Sequence, residues 1–229
     1  MTDIEDKSAN QTKDELIQRK ESVDLLKTDY CFNEMDEQSV SFLNDDFDDE
    51  FLNEEIVSEN TVWNGKIFDV SRMQVKLPNK QDAIRDVIRH PGAVAIIAIT
   101  EDDKICLVRQ YRAALGRVTV ELPAGKLDLG EDPLDCAARE LKEETGIVAN
   151  KMAYLTTIAT SPGFTDEMIH IYMATGLNFE EPCPDEDEYV AVELVDSNDL
   201  INAVLDGQIE DAKTVVGSLI WDAVSRRFV

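Results

Sequence analysis

Three glutamates in the run Arg139-Glu140-Leu141-Lys142-Glu143-Glu144 are the first residues whose type and spacing point to chemistry. If this run is helical, Glu140, Glu143 and Glu144 lie on one side of it, because residues three and four apart are neighbours on a helix. Clustered carboxylates beside a backbone carbonyl form the oxygen-rich set that magnesium or manganese takes. A divalent ion held this way can clamp a pyrophosphate, polarise it and activate a water. Neighbouring like charges also repel by roughly a few tenths of a kcal/mol per pair. Taken alone, an acidic helix face more commonly means a solvated surface, above all in a chain with 48 Asp and Glu against 22 Lys and Arg.

The helix that must carry these carboxylates is marked at both ends. Asp132 is a natural N-cap, Pro133 suits the first helical position and Asp135 falls in the first turn. Gly146 stands where a helix C-terminus favours a left-handed residue. Between these stops, Leu134, Ala137, Ala138 and Leu141 recur at helical spacing and predict a core-facing stripe. Around the helix, Val62 to Val75, broken at Asn64-Gly65, reads as a strand pair, and Ala93–Ile99 as a continuous apolar strand. Further strands are expected at Lys104–Gln110, Val118–Leu122, Tyr154–Thr160, Met168–Ala174 and Tyr189–Val195, and helices near Ser197–Leu205 and Ala212–Arg226. Strands interleaved with a few helices predict an α/β (α+β) fold, with a mixed sheet between helical layers.

The wider pattern is Gly125, five residues, Glu131, seven residues, then Arg139-Glu140-Leu141-Lys142-Glu143-Glu144-Thr145-Gly146-Ile147. It resembles the Nudix box at every defining position, and the resemblance covers roughly residues 60–225. That resemblance implies the Nudix α/β/α sandwich with an N-terminal antiparallel strand pair. It implies a loop–helix–loop box in which Gly125, Glu131, Arg139 and Gly146 are structural. It also implies that the Ala124 carbonyl, Glu140 and Glu144 bind Mg2+, with Mn2+ as a substitute. Glu143 takes a catalytic part, as a further ligand or a side chain supporting one.

Pro162 lies 15 residues past the box, in Ser161-Pro162-Gly163-Phe164-Thr165-Asp166-Glu167. A proline at that offset resembles the ADP-ribose pyrophosphatase subfamily. So do His90-Pro91-Gly92-Ala93-Val94-Ala95, the acidic run Asp185-Glu186-Asp187-Glu188 before Tyr189-Val190, and Asp211-Ala212-Lys213-Thr214. A carboxylate on a projecting loop can reach an attacking water and take its proton. By position in the family pattern Glu186 is the base and Glu188 an additional metal ligand, and the two could be exchanged. Arginine suits phosphate recognition through its bidentate fork. Arg112 matches the family's substrate-phosphate arginine, and Arg85 and Arg89 match positions that contact substrate from a neighbouring subunit. Ile84 is expected to border the base, and Lys126, Ser161 and Glu167 complete the substrate-binding set. The implied reaction is Mg-dependent hydrolysis of ADP-ribose to AMP and ribose 5-phosphate by a homodimer. Its N-terminal strands, near residues 61–90, would be exchanged between subunits. Sugar nucleotides, NADH and dinucleoside polyphosphates are alternative substrates, and an ADP-ribose sensor without turnover is a further alternative.

The 229 residues suit one catalytic domain with an appendage. Residues 1–60 carry a net charge of −14 and the remainder −12, so over half of the −26 lies in the first quarter. The expected division is an acidic tail over residues 1–56, mostly disordered or loosely docked, with a partner-binding segment as the alternative, and a Nudix domain over residues 57–229. Such a balance disfavours nucleic acid and anionic membranes as partners. Cys106 and Cys136 read as small core residues among four scattered cysteines. No secretory signal and no apolar run near ~18 residues is visible, so a soluble cytoplasmic protein is expected.

Overall fold

Strand β4 (Ala93–Ala98) is apolar without interruption because both of its faces are covered. Val94, Ile96 and Ala98 point to one side, where they pack with Cys136, Ala137 and Leu141 of helix α1 (Pro133–Thr145). Ala95 and Ile97 point to the other side. There they join Leu200 and Val204 of α2 (Ser197–Leu205) and Trp221 of α3 (Ala212–Arg227). The alternation of one strand thus builds two cores, one under each helical layer, as the sequence reading expects. This computed structural model describes residues 50–183 and 189–227. Expectations for most of the acidic tail, and for Glu186 and Glu188, fall outside the described residues.

The central sheet has the order β7-β4-β9-β8, built from β7 (Ala124–Lys126), β4, β9 (Met168–Phe179) and β8 (Ile147–Ala159). It is mixed, since β4 runs parallel to β9 and antiparallel to β7. An antiparallel sheet places β5 (Lys104–Arg112) between β10 (Val190–Asp196) and β6 (Arg117–Glu121). Among the described residues no helix is long and apolar enough to cross a membrane.

Three expectations are corrected. The N-terminal strand pair has a third member, since β1 (Glu55–Asn64) and β2 (Asp69–Lys76) are joined by β3 (Asp82–Arg89). Asp82-Ala83-Ile84-Arg85-Asp86-Val87-Ile88-Arg89 is charged and largely exposed, so it shows no apolar alternation. Its pairing with β2 comes from register and from cross-strand ion pairs such as Arg72–Asp86 at 2.7 Å. β1 starts at Glu55, inside the segment expected to be tail. Finally, the buried face of α1 is Cys136, Ala137, Leu141, Glu144 and Thr145, whereas Leu134 and Ala138 are exposed. The helix is rolled towards its carboxylates because Glu140 and Glu144 pack on β7. Burial of Leu141, about 1.5–3 kcal/mol for a side chain of this size, outweighs carboxylate repulsions of roughly a few tenths each.

Candidate active site

Helix α1 begins and ends as its sequence specifies. Asp132 accepts from the Leu134 amide, and Gly146 takes the left-handed conformation with φ 70°. A Cβ at Gly146 would lie 2.2 Å from the Glu180 carbonyl oxygen, so both conformation and space require glycine there. Strand β7 then lies against the carboxylate face. Glu144 is 5 % exposed, and its Oε2 accepts the Ala124 amide at 3.0 Å. Glu140 closes over Gly125 so tightly that a Cβ there would fall 1.8 Å from the Glu140 carboxyl carbon. Gly125 leaves that room and Glu140 occupies it, so a side chain at 125 would have to displace the Glu140 carboxylate.

Arg139 organises the remaining charges. Its Nε and Nη2 donate to the two oxygens of Glu131, each at 2.9 Å, and Nη1 donates to Glu140 at 2.8 Å and Glu143 at 2.9 Å. One guanidinium thus offsets the mutual repulsion of the carboxylates on this helix face. Arg139, then the Asp128 amide, hold the Glu131 carboxyl down to about 2. These contacts bring together Ala124, Gly125, Glu131, Arg139, Glu140, Glu143 and Glu144, while Gly146 ends the helix against Glu180. Lys126 is exposed, and its carbonyl accepts from Arg139.

The donor chemistry fits a hard divalent cation. Glu140, Glu144 and the Ala124 carbonyl are all oxygen donors on adjacent segments. The nearby thiols do not compete, because burial, then the charge of Glu144, pushes Cys106 up to about 12. Burial, then the bond to Glu131, does the same to Cys136. Among the described residues no three His, Cys, Asp or Glu side chains form a ready-made chelating group. Two glutamates and a carbonyl are therefore what this part of the chain offers, and Glu188, expected as a further ligand, lies outside the described residues.

A cleft of about 660 Å³ opens along β6 and the start of α3, lined by Arg112, Arg117, Glu121, Glu167, Asp211 and Lys213 among others, with no residue of the box in its wall. The hydrogen bonds to Glu121 raise the Arg112 guanidinium further above its usual range, and the charges of Glu121, Asp211 and Glu144 act in the same direction. Arg112 and Glu167, both expected to bind substrate, line this one cleft. Ser161 acts through its carbonyl, which accepts the Phe164 and Thr165 amides and shapes the turn leading to Glu167. Arg89 donates to Asp166 at 3.0 Å and to Glu59 at 2.9 Å, which fastens β3 to the same turn. Arg85 and Ile84 are not brought to this cleft. Arg85 pairs with Glu54 at 2.5 Å and Ile84 is 60 % exposed, both out on the N-terminal sheet.

Sequence reasoning missed Glu121, the buried acid behind Arg112. Its burial alone would raise the carboxyl, yet hydrogen bonds from Arg112, Lys213 and Thr119 and the Lys213 charge bring it down to about 2. Glu121 and Lys213 are 92 residues apart. The only sequence signal was the Asp211–Thr214 resemblance, which carried no role for either residue.

A helix laid across a mixed sheet, with two of its glutamates closed onto a glycine-bearing strand, is the arrangement that this fold and site share. The family profile described as NUDIX domain matches residues 89–216. Over 165 residues the chain is 44% identical to a protein of Bacillus methanolicus named methanol dehydrogenase activator, covering 71% of this chain and 89% of that one. It is 42% identical to an ADP-ribose pyrophosphatase of Bacillus subtilis, with the same coverage of each chain. A crystal structure of an ADP compounds hydrolase shares the fold, with a TM-score of 0.68 at 23% identity over 76% of this chain and 95% of that chain. The chain belongs to the NUDIX family.

Proposed function

We propose that this protein hydrolyses the diphosphate of ADP-ribose to AMP and ribose 5-phosphate, using magnesium held at the box, with manganese as a substitute. The observation that carries the reading is the closure of Glu140 over Gly125 and of Glu144 onto Ala124. The name of the Bacillus subtilis relative supports ADP-ribose as the substrate. The ion, bound by Glu140, Glu144 and the Ala124 carbonyl, would neutralise diphosphate charge and lower the pKa of a water. Arg139 keeps Glu140 in place, and Glu143 backs it through the same guanidinium. Arg112 meets a phosphate oxygen from the cleft side. Attack of water on one phosphorus forms a P–O bond and breaks the bridging P–O bond, and the water's proton passes to a carboxylate. The family pattern assigns that role to Glu186, or to Glu188 with the two exchanged.

The test is a panel of ADP-ribose, sugar nucleotides, NADH and dinucleoside polyphosphates with magnesium, read by product chromatography. AMP and ribose 5-phosphate should appear, with the highest kcat/KM on ADP-ribose. Turnover confined to another diphosphate would overturn the substrate assignment, and binding of ADP-ribose without turnover would favour a sensor.

The working unit we propose is a homodimer joined through the N-terminal sheet. Ile56, Val62, Trp63 and Ile84 are all more than half exposed on that sheet, which leaves apolar side chains for a second copy to cover. Light scattering should give twice the 25.7 kDa chain mass, and Trp63→Glu should shift it towards one chain mass. A parent protein that is monomeric at assay concentration would overturn the dimer.

A further inference from the structure

We propose that Glu121 and Lys213 form a clamp that positions Arg112 for a phosphate group of the substrate, coupling the N-terminus of α3 to the cleft. The inference rests on the diphosphate reading of that cleft.

Arg112 lies along the Glu121 carboxylate with two bonds, Nε to Oε1 and Nη2 to Oε2, both 2.7 Å. Its Nη1 has no hydrogen-bond partner among the described residues. Glu121 is itself held on both oxygens, by Thr119 Oγ1 on Oε1 at 2.5 Å and by Lys213 Nζ on Oε2. Lys213 is buried and bonds Asp211 Oδ1 at 2.9 Å. The other oxygen of Asp211 accepts the Thr214 amide at 3.0 Å and the Thr214 hydroxyl at 2.6 Å. Thr214 Oγ1 in turn accepts the Leu122 amide at 2.8 Å, on the segment that leads directly into Ala124 and Gly125. Helix α3 is seated closely enough that a Cβ on Gly217 would come within 2.8 Å of Leu122.

Two cations and two carboxylates therefore balance in a row that is buried at Glu121 and Lys213 and opens at its near end, Arg112. Buried ion pairs add little net stability compared with apolar packing, so stability is a poor explanation for placing a lysine here. Geometry is a better one. A guanidinium held along one edge by an immobile carboxylate cannot swing, which keeps its remaining N–H groups aimed for a ligand without reordering on binding. Lys213 lines the same cleft, but its ammonium is turned onto Glu121 and Asp211. It acts through Glu121, as a positioning residue.

Steady-state kinetics on ADP-ribose with Lys213→Met should show KM raised about tenfold with kcat within about threefold of the parent, the signature of lost uniform binding. Calorimetric binding of ADP-ribose to the metal-free protein should weaken by a similar factor. The double variant Glu121→Gln/Lys213→Met should be no worse than Glu121→Gln alone, because both changes release the same arginine. A folded Lys213→Met protein with parental KM and parental affinity would overturn the clamp. If Lys213→Met fails to fold, Asp211→Asn decides, since asparagine keeps the helix cap and loosens only the lysine. A parental KM in that variant overturns the clamp, and a raised KM with parental kcat supports it. Arg112→Lys, run alongside, separates the two levels. If it too leaves KM unchanged, the diphosphate reading of the cleft fails; if it alone raises KM, only the clamp fails.

Discussion

Glu144→Gln is expected to lower ADP-ribose hydrolysis by about 100-fold or more with little loss of stability. Changes to groups that merely support a metal ligand typically cost 10–100-fold, so a direct ligand should lie at or beyond about the upper end. Stability should hold because the Glu144 oxygen that accepts the Ala124 amide has an equivalent in glutamine. Removing one charge from a face shared with Glu140 and Glu143 also relieves repulsion of roughly a few tenths of a kcal/mol per pair. Activity should be followed against magnesium concentration, with thermal melting in parallel. The expected result is a lowered maximum rate, a higher magnesium requirement and an unchanged melting temperature. Full activity at the parental magnesium requirement would remove Glu144 from the metal site and with it the mechanism proposed for the helix.

Glu144 also shows why part of this site could be read from sequence and part could not. The limits of α1 follow from local chemistry: a capping aspartate, a proline pre-set for the first turn and a glycine that must be left-handed. The carboxylates share a face by helical spacing alone. The burial of Glu144 does not follow from spacing, because it depends on β7 docking against α1, and three residues of strand leave no periodic trace. The same limit applied to β3, whose charged residues pair across to β2 without an apolar pattern. It applied most of all to Glu121 and Lys213, whose partnership is made by α3 folding back on β6. A single acid in Val118-Thr119-Val120-Glu121-Leu122 looks like an ordinary strand polar position. Only the tertiary fold reveals that it is nearly inaccessible and satisfied on both oxygens.

Gly125→Ala separates the position of Glu140 from the presence of its charge. Every titratable group of the site remains, yet the added methyl would sit 1.8 Å from the Glu140 carboxyl carbon and 2.3 Å from its Cγ, well inside contact distance. Glu140 is the part free to move, because β7 is pinned by its pairing with β4 and by the Ala124–Glu144 bond. The carboxylate should therefore rotate away from β7 while keeping its partner Arg139, whose Nη1 already reaches it at 2.8 Å. Placement errors near 1 Å can cost about 100-fold in rate, and a displacement of at least that size is needed here. Activity is expected to fall by about that factor, approaching Glu140→Gln, although alanine is intrinsically better tolerated than glycine in ordinary backbone. The decisive comparison is Gly125→Ala in the parent and in Glu140→Gln. In the parent the change should be severe, and in Glu140→Gln nearly silent, because the ligand it displaces has already lost its charge. Equal and additive losses in both backgrounds would mean that the methyl damages β7 itself, and the assignment of Gly125 as the space reserved for Glu140 would fail.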